Sequence, residues 1–437
     1  MQRFFLRLHL RLIAPRLFDI VSNMKRLLLL IAFLTSSYLA AEEIVVHLNA
    51  HEKLAPFYIK PFATDYGKKL QEILRFDLAS NGFMQERKKQ NHVEYVLHGT
   101  VAQQELGVTV EIVNEGRLIA FEKVSICGQL ESDRAKVHQI ADAICKRLFN
   151  HEGICSKKIL YSVRTKKSAD ASMWTSEIWQ ADSDGAGAKQ VTHQNALCVT
   201  PCYLPIRIKG ETPYFLYVSY RSGEPKIYIG STKEPLAKRL TYLSGNQFMP
   251  AITAACNRVA FISDVSGSVD LFMQDFSIKD GVLGKAKKIF SAPMATQGTP
   301  SFNHDGTKVA FVSNKDGTAR IYTLNLETKR LRLISKQNRD NTSPCWSSDG
   351  KQIAYSAQTL GTRQIWIYNL KTDQEEQITF GAGHKENPVW AANNLHLLYN
   401  TESKGACELY LTNTRQKNNG VKLSKGPKDK RFAAWEP

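Results

Sequence analysis

The 437-residue chain lacks the short motifs around which common hydrolases and nucleotide enzymes are built. No Gly-x-Ser-x-Gly elbow occurs, which removes the strained turn that an α/β-hydrolase nucleophile needs, and with it a propeller-linked prolyl peptidase. No Walker A loop occurs either, because Gly281-Val282-Leu283-Gly284-Lys285 has neither the spacing nor the final Ser/Thr. The eight cysteines do not fall at metal-ligand spacing. His47 and His51 stand four apart with no Glu between them, in a strand-to-loop context that does not put both rings on one face. Helical periodicity is missing from residues 156–437. Catalytic, cofactor and metal residues are therefore not expected, and the chain reads as a binding or scaffolding protein.

What is present is a repeat. The modules Thr299-Pro300-Ser301-Phe302, Ser343-Pro344-Cys345-Trp346 and Asn387-Pro388-Val389-Trp390 recur, and Phe432-Ala433-Ala434-Trp435 echoes them. Their aromatic ends are 44, 44 and 45 residues apart. A period in the forties with several short strands per unit is the signature of a propeller. A second marker, a hydrophobic run centred on Tyr161, Tyr217, Phe261, Phe311, Tyr355 and Tyr399, occurs six times. A third, Ile178-Trp179, Ile227-Tyr228, Leu271-Phe272, Ile321-Tyr322, Ile365-Trp366 and Leu409-Tyr410, does the same. Asp305-Gly306, Asp349-Gly350 and Asn393-Asn394 sit where a tight turn joins strands one and two, and Gly223, Gly267, Gly317, Gly361 and Gly405 mark the next turn. The Asp-Gly pairs read as turn geometry rather than calcium ligands. Six blades follow, over residues 156–437, with residues 432–436 expected to complete the first. The competing arrangement, a series of β-sandwiches, does not repeat at near-constant spacing.

The fold class is thus a two-domain α+β chain, an N-terminal mixed α/β domain followed by a six-bladed, all-β propeller. Residues 1–41 read as a targeting segment. Met24-Lys25-Arg26 is a basic start, Leu27 to Leu34 an apolar core too short to span a bilayer stably, and Ser36 to Ala41 a small-residue exit. The true start is expected at Met24 and cleavage at Ala41. Residues 42–150 form the α/β domain. Strands are expected at Glu43–Leu48, Val93–Val101, Val108–Val113 and Leu118–Ile126. Turns are expected at Glu105-Leu106-Gly107 and Asn114-Glu115-Gly116, and helices at Asp65–Ala79 and Asp133–Phe149.

Setting aside the six basic and one acidic side chains of residues 1–41 leaves 52 basic against 40 acidic, a net of +12. That balance favours acidic partners or an anionic surface. The charge does not form a strip with interleaved aromatics, so nucleic acid is not an expected partner. Cys202 and Cys345 share a repeat position and read as small core residues. Cys198 and Cys202 flank Pro201 and leave a bridge open.

The polar loops entering each first strand are expected to rim one mouth of the channel and to bind a partner. They are Asn246 and Gln247; Thr296 and Gln297; Asp340, Asn341 and Thr342; Lys385, Glu386 and Asn387; and Lys430 and Arg431.

The repeat units Pro300-x-Phe302-x-x-Asp305-Gly306-x-x-Val309-Ala310-Phe311 and Pro344-x-Trp346-Ser347-Ser348-Asp349-Gly350-x-x-Ile353-Ala354-Tyr355 resemble those of the TolB family, the periplasmic propellers of the Tol–Pal system. Ile140-Ala141-Asp142-Ala143-Ile144 through Gly153-Ile154-Cys155-Ser156 is similar to the family's linker helix. Asp77-Leu78-Ala79-Ser80-Asn81-Gly82-Phe83 resembles the end of its first helix. The likeness covers residues 24–437. It departs in the second unit, which lacks the usual Pro-x-Trp, and at Ala433, which replaces the closing proline. The resemblance implies a non-enzymatic periplasmic scaffold, peripheral to the envelope, that supports outer-membrane integrity and cell division. It implies docking of the lipoprotein Pal at a propeller mouth, with room for other outer-membrane lipoproteins. It also implies that TolA is engaged by the mature N-terminal segment Glu42, Glu43, Ile44, Val45, Val46 and His47. The alternative is a substrate-binding or regulatory propeller of a periplasmic peptidase or glycan-binding system.

Overall fold

A computed structural model describes residues 53–166, 174–208, 211, 213–403, 405–416, 420–423 and 425–437. The expected start at Met24, the cleavage at Ala41, the strand at Glu43–Leu48, the segment Glu42–His47 and His51 lie outside the described residues.

The α/β region is one mixed sheet with two helices. Its strands run in the order Met84–Glu86, Ala55–Ile59, Tyr95–Ala102, Glu105–Ile112 and Arg117–Ala120, and Val124–Ser125 pairs with the fourth. Ala55–Ile59 is parallel to both of its neighbours. Helix α1, Asp65–Ser80, starts at Thr64, whose side chain accepts from the Gly67 N–H. Helix α2, Leu130–Phe149, ends on Asn150 in the left-handed region. Both helices bury apolar faces on the sheet, through Leu70, Ile73, Leu74 and Leu78 from α1 and Val137, Ile140, Ala141 and Ile144 from α2.

Three local expectations need correction. The turn placed at Glu105–Gly107 lies at Gln103-Gln104, both with positive φ, so Glu105 already begins a strand. A Gln-Gln pair carries none of the usual turn chemistry, and Gly107 drew the turn two residues too far. The single strand Leu118–Ile126 is two short ones. Ala55–Ile59 was not expected as a strand, because Pro56 interrupts its apolar run, yet Phe57 within it is fully buried.

Six four-stranded antiparallel sheets follow. Blade 2 runs Cys198–Tyr203, Tyr214–Ser219, Lys226–Ser231 and Ala237–Arg239, from the channel outwards. Blades 3 to 6 repeat the order, with first strands Gln247–Ile252, Gln297–Phe302, Asn341–Trp346 and His384–Trp390. Blade 1 is built from both parts of the chain: Lys430–Trp435 pairs with Lys158–Lys166, which is followed by Trp174–Asp182 and Lys189–Gln190. Six sheets thereby form a ring.

The aromatic of each second-strand marker is fully buried, and the second-turn glycines of blades 2 to 6 take φ between 76° and 90°. In each Asp-Gly first turn only the Gly is left-handed, with Gly306 at 68° and Gly350 at 69°, and Asn394 takes the same place at 57° in blade 6. Asp305 instead accepts the Thr307 N–H at 2.8 Å. Its carboxylate fixes the turn, as a turn-forming Asp does.

The α/β region sits on the face of the ring that carries these first turns. His396 Nε2 donates to the Ser80 carbonyl at 2.9 Å, and Asn393 Nδ2 donates to the Glu152 carbonyl at 3.2 Å. Asn393 also donates to His396 Nδ1 at 2.9 Å. Burial pushes His396 down to about 4, so the ring is neutral and uses both nitrogens as this pairing needs.

Trp435 closes blade 1 opposite Ile159 and is buried among Ile159, Leu398 and Leu409. Truncating a core Trp typically costs roughly 3–5 kcal/mol. We expect Trp435→Ala to lower stability by that order in urea titrations. A loss no larger than that of an exposed substitution would contradict closure through this strand.

Candidate functional site: the open mouth of the channel

Strand polarity places two sets of loops on the remaining face, those entering each first strand and the hairpins between strands two and three. The first strands share one frame on this face. Cys198, Gln247, Gln297, Asn341, Lys385 and Lys430 are all buried. Two residues on, Thr200, Met249, Thr299, Ser343, Asn387 and Phe432 all have φ between 41° and 54°. Next come Pro201, Pro250, Pro300, Pro344, Pro388 and Ala433. At each left-handed residue the pairing with strand two slips, which is a β-bulge. A non-glycine residue held there is costly, on the order of 1–3 kcal/mol. Repetition in every blade makes it a constructed feature of the channel.

The sequence expectation that all these loop residues rim the mouth holds for only part of them. Alternation along a strand sends neighbours to opposite sides, and in four blades the frame residue turns back towards the preceding blade or the segment leading from it. Gln247 accepts from Thr241 Oγ1 at 2.6 Å and donates to the Leu243 carbonyl at 3.1 Å. Asn341 donates to the Asn338 carbonyl at 2.8 Å. Lys385 donates to the carbonyls of Ala382 at 2.7 Å, Gly383 at 3.1 Å and Gly381 at 3.3 Å. Lys430 meets Glu408 and the Leu423 carbonyl, both at 2.9 Å. These side chains tie blade to blade. Gln247, Asn341, Lys385 and Lys430 are therefore removed from the surface that a partner could touch, and Gln297 is buried in the same frame.

The others do reach the mouth. Thr342, Glu386, Asn387 and Arg431 come together around a cavity of ≈ 170 Å³, with Arg363 from the blade 5 hairpin completing it. Arg363 bonds Asp340 at 2.8 Å and Glu386 at 3.2 Å, and Arg431 bonds Glu402 and Asp429, each at 3.1 Å. Ser343 Oγ donates to Asn387 Oδ1 at 2.8 Å. Asn246 and Thr296 belong to the opposite arc, tied to Asp264 at 2.6 Å and to Asn314 at 2.7 Å.

Below the mouth lies a cavity of ≈ 520 Å³ walled by all six first strands, largely apolar through its prolines, Met249 and Phe432. Cys202 and Cys345 line it half-buried, rather than sitting in the blade core as expected. Cys198 and Cys202 are both free thiols, so the bridge left open in the sequence is not formed. Sequence reasoning missed Arg363 and a set of exposed apolar side chains on this face. Met294 and Leu360 are fully exposed, Tyr242 largely so, and Phe380 partly. Leu360 beside Gly361 in a turn was the readable signal.

The model of the TolB beta propeller domain matches residues 145–437. A TolB homolog of Protochlamydia amoebophila is 41% identical over 339 residues, spanning 69% of this chain and 72% of that protein. The chain belongs to the TolB family. A TolB homolog of Chlamydia muridarum is 33% identical over 271 residues, covering 60% of this chain and 62% of its own. The crystal structure of TolB from Acinetobacter baumannii superposes with a TM-score of 0.73 over 88% of this chain and 97% of that one, at 20% identity. The last is a likeness of fold. Among the described residues, no helix is long and apolar enough to cross a membrane.

The two classes of loop residue differ in what they tolerate. Lys385→Glu would put a carboxylate against three carbonyl oxygens. Leaving a buried charge uncompensated typically costs about 3–5 kcal/mol. Arg339→Glu, on the exposed loop before Asp340, should stay within about 0.5 kcal/mol. Urea titrations of the two variants test this, and equal losses would contradict the division between ties and rim.

Proposed function

We propose that this TolB-family chain is a non-enzymatic periplasmic scaffold. A Pal-type lipoprotein docks across the open mouth of its propeller, and the N-terminal segment Glu42–His47 engages TolA. One observation carries the reading for the mouth. The α/β region packs against blades 6 and 1 on one face of the ring, while the other face presents Tyr242, Met294, Leu360 and Phe380 around a mouth that leads into a largely apolar channel. Large exposed apolar side chains gathered on one face mark an interaction surface. The polar set Asn246, Thr296, Asp340, Thr342, Glu386, Asn387 and Arg431 would supply the rim around it, as interfaces commonly arrange their polar groups. The TolA role of residues 42–47 rests on the family resemblance.

Calorimetry with the soluble Pal domain of the same organism tests the mouth. Leu360→Asp with Phe380→Asp should weaken binding at least about tenfold, or about 1.4 kcal/mol, without lowering the melting temperature. Unchanged affinity in the folded double variant would place docking elsewhere. Deleting residues 42–48 should abolish TolA capture. If that deletion also changes Pal affinity, the two sites are coupled, and coupling must be reciprocal.

A further inference from the structure

Between the α/β region and blade 1 lies a cluster of charges almost wholly removed from water. Asp77 comes from α1, and Arg134 and His138 from α2. Asp182 and Asp184 come from the turn ending the third strand of blade 1. All five are buried. Arg134 Nε donates to Asp182 at 2.9 Å and its Nη2 to Asp184 at 2.5 Å. Lys158 pairs with Asp182, and Lys425, from the loop leading into the closing strand, pairs with Asp184 at 2.7 Å. His138, Asp182 and Asp184 could each offer a metal ligand. Three cationic side chains already occupy those carboxylates, so the cluster is an ion-pair network and not a metal centre.

His138 stands at its centre with two partners to choose from. Nδ1 lies 2.7 Å from Asp77 Oδ2, so that nitrogen carries a proton in either charge state. Nε2 lies 3.3 Å from Arg134 Nη2 and 3.7 Å from Asp182 Oδ2. A bare Nε2 can only accept, and therefore pairs with Arg134. A protonated Nε2 can only donate, and must turn to Asp182.

We propose that His138 is a proton-controlled latch between the α/β region and the propeller. Its imidazolium form bridges Asp77 and Asp182 across the interface. Loss of the Nε2 proton hands the ring to Arg134, a residue of its own helix, and slackens the contact. The inference does not depend on which partner docks at the mouth.

The surroundings fix the direction of the effect. Facing the ring are Asp77 from α1, Arg134 from its own helix, and Asp182 and Asp184 from blade 1. Lys158 and Lys425 stand behind the two blade 1 carboxylates, and Asp142 and Cys155 stand beside Asp77. Burial alone would drive the proton off, but Asp182 and Asp77 outweigh it and lift His138 to about 9. Burial also raises Asp77, to about 6, against the opposing pull of His138. A histidine raised above its ordinary value stabilises fully below about 6.5, and that stabilisation is lost as pH rises through about 9. His396, at the other contact with the propeller, is neutral and does not share this loss.

Two measurements on the intact mature chain test the latch. Long-range ¹H–¹⁵N spectra of histidine-labelled protein, assigned through backbone connectivity, should show His138 protonated on both nitrogens at pH 7 and losing the Nε2 proton near pH 9. A ring already neutral at pH 7, or one whose Nδ1 proton leaves first, overturns the proposal. Hydrogen exchange of α2, measured relative to the second strand of blade 5 in the same sample, should accelerate between pH 7 and pH 10. In His138→Gln, which keeps a donor but cannot titrate, that relative acceleration should vanish. If the variant accelerates as the wild type does, His138 is a static interface residue and the latch is wrong.

Discussion

A sheet edge in water is a row of unpaired N–H and C=O groups, and a ring of blades has to deal with it at one place. Here that place is blade 1, where Lys430–Trp435 lies against Lys158–Lys166. Without this strand, Leu160 and Ser162 would lose their inner neighbours and the first strands of blades 6 and 2 would have no strand between them. The rest of the molecule depends on that seam. The channel has a complete wall only because six first strands surround it, and the mouth is continuous only because Arg431 and Phe432 fill the arc between blades 6 and 2.

The two faces of the ring have opposite characters. The face of the short first turns is committed at blades 6 and 1: His396, Asn393 and the Asp182–Asp184 turn are all engaged by the α/β region, partly through buried charge. Buried ion pairs are poor sources of net stability, because desolvation consumes most of their attraction. What they do supply is geometry, since Arg134 finds both carboxylates in only one placement of α2 over blade 1. The opposite face keeps its apolar side chains in solvent. A propeller docked this way has one side that sets orientation and one side that is free to meet another molecule.

Much of the fold was legible because the repeat is physical. The buried aromatics Tyr161 to Tyr399 mark the centre of each second strand, and the recurrent Gly marks the hairpin that follows. The echo Phe432–Trp435 pointed to the closing strand. The α/β region was less readable. Ala55–Ile59 hides behind a proline, and Gln103-Gln104 adopts a left-handed turn that its composition does not advertise. The sequence placed these loops at the mouth but could not say which of their side chains faced out. Gln247 and Asn246 look equally polar on paper. The pleat alone decides that one spans two blades and the other meets solvent. Arg363 was invisible for a different reason, since it reaches the mouth from a hairpin that is distant in sequence from Glu386 and Arg431.

The left-handed residues of the first strands have one more consequence. The bulge is a property of the backbone, present before a proline in five blades and repeated at Phe432 without one. The width of the channel is therefore set by main-chain geometry, and the side chains at those positions are left to vary in chemistry: two threonines, a methionine, a serine, an asparagine and a phenylalanine occupy equivalent places. The chemistry of the channel wall can thus be changed one blade at a time by substitution at these positions, while the bore keeps its shape.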